Sequence, residues 1–562
     1  GIEACFDQLA ETINSFLRRK ELNGLEEMCT ALSKLESHRL ALLPDYRNRI
    51  EQAQMAARIA LWTKEPRDPE AMEPLADQMY YYFRNASYVD RAISHITDSD
   101  ARPAAEKAYQ KVRILASERR VAEQIRMAQS LALWNDSPQD ETVLKVEDLI
   151  NTIVTPLAKR HPVLLLVLDG MSCAIFSQLM EDLSGRDWFT IAPGGREQGV
   201  LAALPSVTAI SRTALFSGQL DISDNRTETV AFRDNRALAE VCTKSKPRLF
   251  LKGELSSEGS TSLSEVVRDA LESSSHHVVS VLLNAIDDEL SGSDQLKIDW
   301  EINRIRLLTQ ILESASAGDR TIVLTSDHGN VIELNQTRKI GEKTTGGDRY
   351  REDADLIDSD HEIRISGKRI EQATGKSAII TAATDKVRYS SKKAGYHGGC
   401  SDMEVVIPLA VLQKDPNEAP EGWDFVDLTA PQWWNLNADE ATPAAPNRNS
   451  VRKKKPAKMV ATDEAPNLEL GLDDKSKANE STWVDALLTS SVFEEQFNGL
   501  GRTPLKKDMI RSFLRIMDQR RGTAPMKVIA SELGLPTMRL RGMVAQLRRL
   551  FNVDGYEIVS EE

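Results

Sequence analysis

At 562 residues the chain is too long for one core, so three or four domains are expected. Apolar residues make up 41% and charged residues 28%, the balance of a soluble globular protein, and the apolar run Val163–Leu168 is far too short to cross a bilayer. A net charge of −14 excludes a whole-protein nucleic-acid wrapper while leaving room for a local basic module.

Five cysteines (Cys5, Cys29, Cys173, Cys242, Cys400) are scattered, odd in number and contain no CxxC pair, a poor disulfide framework that fits a reducing cytoplasm. The chain opens on Gly rather than Met and carries no signal-peptide pattern, as a processed or trimmed chain would.

Residues 1–155 carry helix periodicity: Phe6, Leu9, Ile13, Phe16 and Leu17, then Leu25, Met28, Leu32 and Leu35, recur at spacings of three and four. Glycine is rare there, which points to a helical bundle. The cluster Tyr80 to Phe83 is read as packing. From His161 the pattern changes to short apolar runs. Val163–Leu168 ends in Asp169-Gly170, Val278–Leu283 in Asn284 and Asp287, and Thr321–Thr325 in Asp327-His328-Gly329; the run from Val405 to Leu412 follows His397-Gly-Gly. Helix periodicity between them, over 174–183, 263–271 and 300–314, implies a doubly wound parallel sheet covered on both faces. Sites in such sheets lie beyond the carboxyl ends of the strands, where these acids and histidines fall.

Residues 335–395 are polar and charged, an insertion suited to a cap beside the site, and 436–480 read as a linker with four prolines and the basic run Arg452 to Lys455. The tail, 481–562, holds twelve Lys or Arg against three acids between Gly499 and Phe551. A short helix to Gly534, a longer one over 537–550 and a strand pair near 555–559 match a winged helix-turn-helix. Its Arg539, Arg541, Arg548 and Arg549 are placed to meet phosphates, and protein docking is the competing use.

Singly, the candidate site residues are ordinary: Asp-Gly after a strand is a turn, and a hydroxyl before a helix is an N-cap. Their chemistry is coherent as a set. Asp169, Asp327 and His328 suit a divalent cation, zinc first, with manganese or magnesium as alternatives. Thr208 opens a helix, where free amides favour an anion, and a metal would make its hydroxyl nucleophilic; Arg212 lies one turn on, in reach of a phosphoryl oxygen. His38, His95, His276, His277 and His361 have no partners at ligand spacing. No P-loop and no Gly-x-Ser-x-Gly elbow is present.

The order strand-Asp-Gly, Pro205-Ser-Val-Thr208-Ala-Ile-Ser-Arg212, Thr325-Ser-Asp-His-Gly329 and His397-Gly-Gly-Cys-Ser-Asp-Met-Glu404 resembles the alkaline phosphatase superfamily, and within it the PglZ domain of bacterial BREX phage-defence systems. The resemblance covers about 160–415, or 156–435 as a domain. It implies one metal site from Asp169, Thr208, Asp327 and His328, with Thr208 transiently phosphorylated, and a second from Asp287 and His397. Where the superfamily supplies a His four residues after that Asp, this chain has Ser291, with Asp288, Glu289 and Asp294 as the nearby substitutes. The implied function is a metal-dependent phosphohydrolase or phosphodiesterase working with other phage-defence proteins. A low-turnover scaffold that binds metal or a phosphorylated ligand is the alternative, and DNA contact through the winged helix is an accessory role.

Overall fold

The computed structural model describes residues 1–436 except 68–72, 97–99, 137–141, 184–185, 187, 222, 225, 257–261, 293–299, 335, 342–345, 353–354 and 415–418. Beyond 436 it describes the helix Lys507–Gln519 and scattered positions between 484 and 551. There are two compact units, Gly1–Ser184 with Trp188–Thr442, and Gly185–Asp187 with Pro443–Glu562.

The first unit opens with helices Ile2–Arg18, Leu25–Glu36 and Pro44–Trp62, the last with its proline in the first turn, where a missing N–H costs nothing. Phe6, Leu9, Ile13 and Phe16 are buried together, as their spacing requires. Tyr82 and Phe83 are buried as well. The 34-residue helix Pro103–Asp136 then runs between two cores. Its early residues Ala108, Tyr109 and Val112 pack among the first helices, whereas Met127, Leu131 and Trp134 pack on the sheet described below. A second strap closes the same junction: Trp433 lies 6.5 Å from Trp62, and Trp434 lies 5.0 Å from Tyr88 with Arg58 over its ring at 4.2 Å.

The main sheet has seven strands, in the order Trp423–Val426, Phe189–Pro193, Leu409–Gln413, Thr321–Thr325, Val163–Leu168, Val278–Leu283 and Arg248–Phe250. Every residue of Val163–Leu168 is buried, and alternate side chains enter different layers. Leu164, Leu166 and Leu168 join the core under helices Cys173–Leu183 and Glu265–Glu272; Val163, Leu165 and Val167 join Phe216 and Phe232 on the other face. Burial on both faces is why the run is continuously apolar rather than alternating.

The expectation of a parallel sheet holds for four strands only. Val163–Leu168 is parallel to Val278–Leu283 and Thr321–Thr325, and Arg248–Phe250 continues that set, but Leu409–Gln413 runs antiparallel to Thr321–Thr325. Its chain arrives from the carboxyl edge, where His397 lies, and so must run back down the sheet. An apolar run reports burial and not direction. The run from Val405 to Leu412 is also divided at Pro408, which has no N–H to donate. Val406–Ile407 pairs with Val200–Leu201, and Leu409–Gln413 enters the main sheet.

The polar stretch 335–395 contains a three-stranded antiparallel sheet of Glu362–Ser366, Ala378–Ala382 and Tyr350–Glu352. Its charges are paired inward: Arg349 with Glu404 at 2.8 Å, Arg351 with Glu362 at 3.0 Å and Arg369 with Glu147 at 2.9 Å. In the second unit, helix Lys507–Gln519 contributes Ile510, Phe513 and Leu514 to a separate apolar cluster with Val484, Leu488 and Leu547. Of the expected tail, Arg548 is described and exposed, whereas Arg539, Arg541 and Arg549 and the strand pair lie outside the described residues.

A buried charge cluster joins the helices to the sheet domain. Arg120, 3% exposed, meets Asp90 at 3.0 Å, Glu123 at 2.9 Å and Asp402 at 2.8 Å. Burial pushes Asp402 up to about 7 against the pull of Arg120. Removing the cation strands three acids in the interior, so Arg120→Met is expected to cost about 3–5 kcal/mol. Urea unfolding at pH 7 checks this: the midpoint should fall clearly, and an unchanged midpoint would contradict it.

Candidate metal centre

Three segments at the carboxyl edge of the sheet bring the candidate residues together. Asp169 and Asp327 follow adjacent strands, Val163–Leu168 and Thr321–Thr325, paired in register. Gly170, at φ +74°, turns the chain in a conformation that side chains rarely adopt. At Gly329 a side chain would collide with the backbone oxygen of Met403, so glycine permits the close approach. Thr208 is the first residue of helix Thr208–Ser217, which stops at Gly218 in the left-handed conformation.

One ligand atom from each of Asp169, Asp327 and His328 lies within 4.8 Å of the others, and all three residues are buried. His328 Nδ1 is 2.9 Å from the Gly329 carbonyl, which can only accept, so Nδ1 carries the proton and Nε2 is bare. Nε2 then accepts from Thr208 Oγ1 at 2.9 Å and lies 3.6 Å from Asp169 Oδ1 and 3.7 Å from Asp327 Oδ2. Burial lowers the pKa of His328 and keeps it neutral.

Each carboxylate has one oxygen satisfied and one not. Asp169 Oδ2 accepts from Arg212 Nη1 at 2.9 Å and Asn284 Nδ2 at 2.5 Å; Asp327 Oδ1 accepts from the amides of Gly170 at 3.2 Å and His328 at 3.0 Å. Asp169 Oδ1 and Asp327 Oδ2 are buried with no hydrogen-bond partner, and both border His328 Nε2. Two orphaned carboxylate oxygens and a bare imidazole nitrogen are a donor set that a divalent cation satisfies. Without one, burial and then the neighbouring Asp327 push Asp169 up to about 8, and burial raises Asp327 to about 6.

His397 stacks on His328 with ring centroids 4.1 Å apart and 14° between planes. Its Nδ1 faces the Ser206 carbonyl at 3.2 Å, and its Nε2 is 3.9 Å from Asp287 Oδ1. Arg212 Nε and Nη1 bond Glu228 and Asp169, so the guanidinium braces a candidate ligand as well as standing near the site. Ser291 is exposed and donates to the Asp288 carbonyl of its own helix at 3.3 Å. His95, His277 and His361 serve backbone or hydroxyl contacts away from this cluster.

Several supporting residues have no distinctive sequence signal. Ser326 Oγ accepts from the Met171 amide at 2.9 Å, Ser211 Oγ donates to the Asp327 carbonyl at 2.5 Å, and Asn330 Nδ2 donates to Gly170 O at 2.6 Å. Glu404, fully buried, receives the Gly399 amide at 2.7 Å and Ser401 Oγ at 2.6 Å, and so fixes the loop carrying His397. Glu228 is too far along the chain for spacing to reveal. Asn284 ends a strand like the acids and was visible by position alone.

Two family descriptions match the chain: the BREX system PglZ alkaline phosphatase-like domain over residues 149–412, and the BREX system PglZ C-terminal domain over residues 478–562. No curated protein matches the sequence. Solved structures of murine ectonucleotide pyrophosphatase/phosphodiesterase 5, one of an inactive variant in complex with AMP, are similar at 12% identity and a TM-score of 0.27. They cover 45% and 44% of this chain and 88% of their own.

The raised carboxyl pKa values fix a sign. An acid whose pKa is higher folded than unfolded holds its proton longer in the native state, so metal-free stability falls as pH rises from about 4 towards the folded values of about 6 and about 8. Asp169→Asn removes the Asp169 share of that penalty and a candidate metal ligand together. Thermal melting at pH 8 should therefore place the variant above wild type in chelator, with the order reversed in excess zinc. The same order in both conditions would contradict this account.

Proposed function

The chain is a PglZ-domain protein of the alkaline phosphatase superfamily, and from that premise we propose that it is a metal-dependent phosphohydrolase or phosphodiesterase of a phage-defence system, with Thr208 as nucleophile. One observation carries the reading: Thr208 Oγ1 sits at a helix start, 2.9 Å from the bare Nε2 of His328, beside two buried carboxylate oxygens without partners. A divalent ion held by Asp169, Asp327 and His328 with Thr208 supplies Lewis-acid charge there; zinc suits this donor set, and manganese or magnesium are the alternatives.

The chain's own groups do the rest. Thr208 Oγ1 gives its proton to solvent and attacks phosphorus, the bond from phosphorus to the ester oxygen breaks, and that oxygen takes a proton from water to leave as the alcohol; water then attacks the phosphothreonine, releasing the phosphate and restoring the Thr208 hydroxyl. The free amides of the helix start face the phosphoryl oxygens. Arg212, positioned by Glu228, holds Asp169 in place and is within one helical turn of Thr208. A cavity of about 480 Å³ opens along the adjoining face of that helix, lined by Ala209, Thr213, Tyr350 and Lys376, and offers room for the organic part of an ester.

The second reading is a slow or non-catalytic centre that binds a phosphorylated ligand within a defence complex. It is favoured by the second position offering, among the described residues, Asp287 and His397 as its candidate ligands. In this proposal, residues 1–155 and 436–480 are helical support and linker, and 481–562 is a winged helix that contacts DNA or a partner protein.

Two measurements test these statements. With zinc or manganese, wild type should hydrolyse aryl phosphomonoesters or diesters, and Thr208→Ala should lose at least about a thousandfold; metal binding without turnover in either would favour the second reading. For the tail, replacing Arg539 and Arg541 by Ala should flatten the salt dependence of DNA binding by about 0.9 in log–log slope for each phosphate no longer neutralised. An unchanged slope would leave protein docking as the use of that module.

A further inference from the structure

We infer that this centre holds one divalent ion per chain and that the Asp287–His397 pair stays metal-free; the inference rests on the metal dependence proposed above. Among the described residues, one group of three or more metal-ligating side chains lies within ligand distance, Asp169, Asp327 and His328. The second position offers Asp287 Oδ1 and His397 Nε2, 3.9 Å apart. Two protein ligands fall short of the three that a catalytic zinc site usually has.

Among the described residues, the neighbouring groups do not make up the difference. Ser291 is one helical turn beyond Asp287, on the same face, but it presents a neutral hydroxyl that bonds back to Asp288 O at 3.3 Å. Asp288 is exposed and paired with Lys252 Nζ at 2.6 Å. Glu289 is two residues from Asp287, about 200° around the helix. Asp294 lies outside the described residues.

Nor is a carboxylate free to bridge a second ion to the first. Asp169 Oδ2 is held by Arg212 and Asn284, and Asp327 Oδ1 by two backbone amides, so each acid turns a single oxygen to the centre. Paired-metal sites set their ions about 3.5–4 Å apart and clamp both the attacking and the leaving oxygen. The Asp287–His397 pair is partly exposed, with His397 stacked on His328 and its Nε2 left 3.9 Å from Asp287 Oδ1, beyond hydrogen-bond distance.

The test is a count. Full-length protein is loaded with zinc, freed of excess and analysed by native mass spectrometry together with elemental analysis. One ion per chain is expected in wild type and in Asp287→Asn. Ser291→His, at an exposed position that disturbs no core, should raise the count to two by adding an imidazole one turn from Asp287. Two ions in wild type would overturn the inference while leaving the proposed function standing. Loss of the ion in Asp287→Asn, or a Ser291→His chain that stays at one, would overturn it as well. A wild-type chain that binds no ion would refute it and the proposed metal dependence together.

Discussion

The centre is governed by the burial of two carboxylates and one imidazole at the carboxyl edge of the sheet, with one oxygen of each acid left unmatched. An unpaired buried acid is expensive, and two side by side more so. The surrounding structure tolerates this only because it is rigid: the acids follow adjacent in-register strands, and their other oxygens are held by Arg212, Asn284 and backbone amides. The arrangement stores an electrostatic demand that a cation would meet. Pre-organisation of this kind would let a metal enter with little rearrangement of the candidate ligands.

The periphery is held by buried ion pairs of its own. Arg349 and Glu404, both fully buried, tie the 335–395 segment to the His397 loop, and Arg120 ties the long helix to Asp402, which opens the turn containing Glu404. Each is a buried cation whose partners are acids or carbonyls, so removing one partner alone would leave an uncompensated buried charge. Charged composition in 335–395 thus serves internal pairing as much as solvation.

Much of this was legible in the sequence, for identifiable reasons. Strands buried on both faces announce themselves as unbroken apolar runs, so the position of Asp169, Asp327 and His328 at their ends could be read directly. Helix starts and stops at Thr208 and Gly218 are local signals. Strand direction was not legible, because the apolar pattern of Leu409–Gln413 is the same whether it runs up or down the sheet. Glu228 was also hidden, since what matters is its distance in space to Arg212, and Asn284 could be placed at a strand end but not assigned its bond to Asp169. The departure at Ser291 was visible as a residue type, but its meaning depends on where Asp288 and Asp287 point.

The central claim is that Thr208 carries the phosphoryl group during turnover. Rapid acid quench of the zinc-loaded protein mixed with an aryl phosphomonoester, followed by peptide mass spectrometry, tests it most directly. The account predicts a phosphoryl adduct on the peptide containing Thr208. Steady hydrolysis with no adduct on that peptide, or with the adduct on another residue, would contradict it.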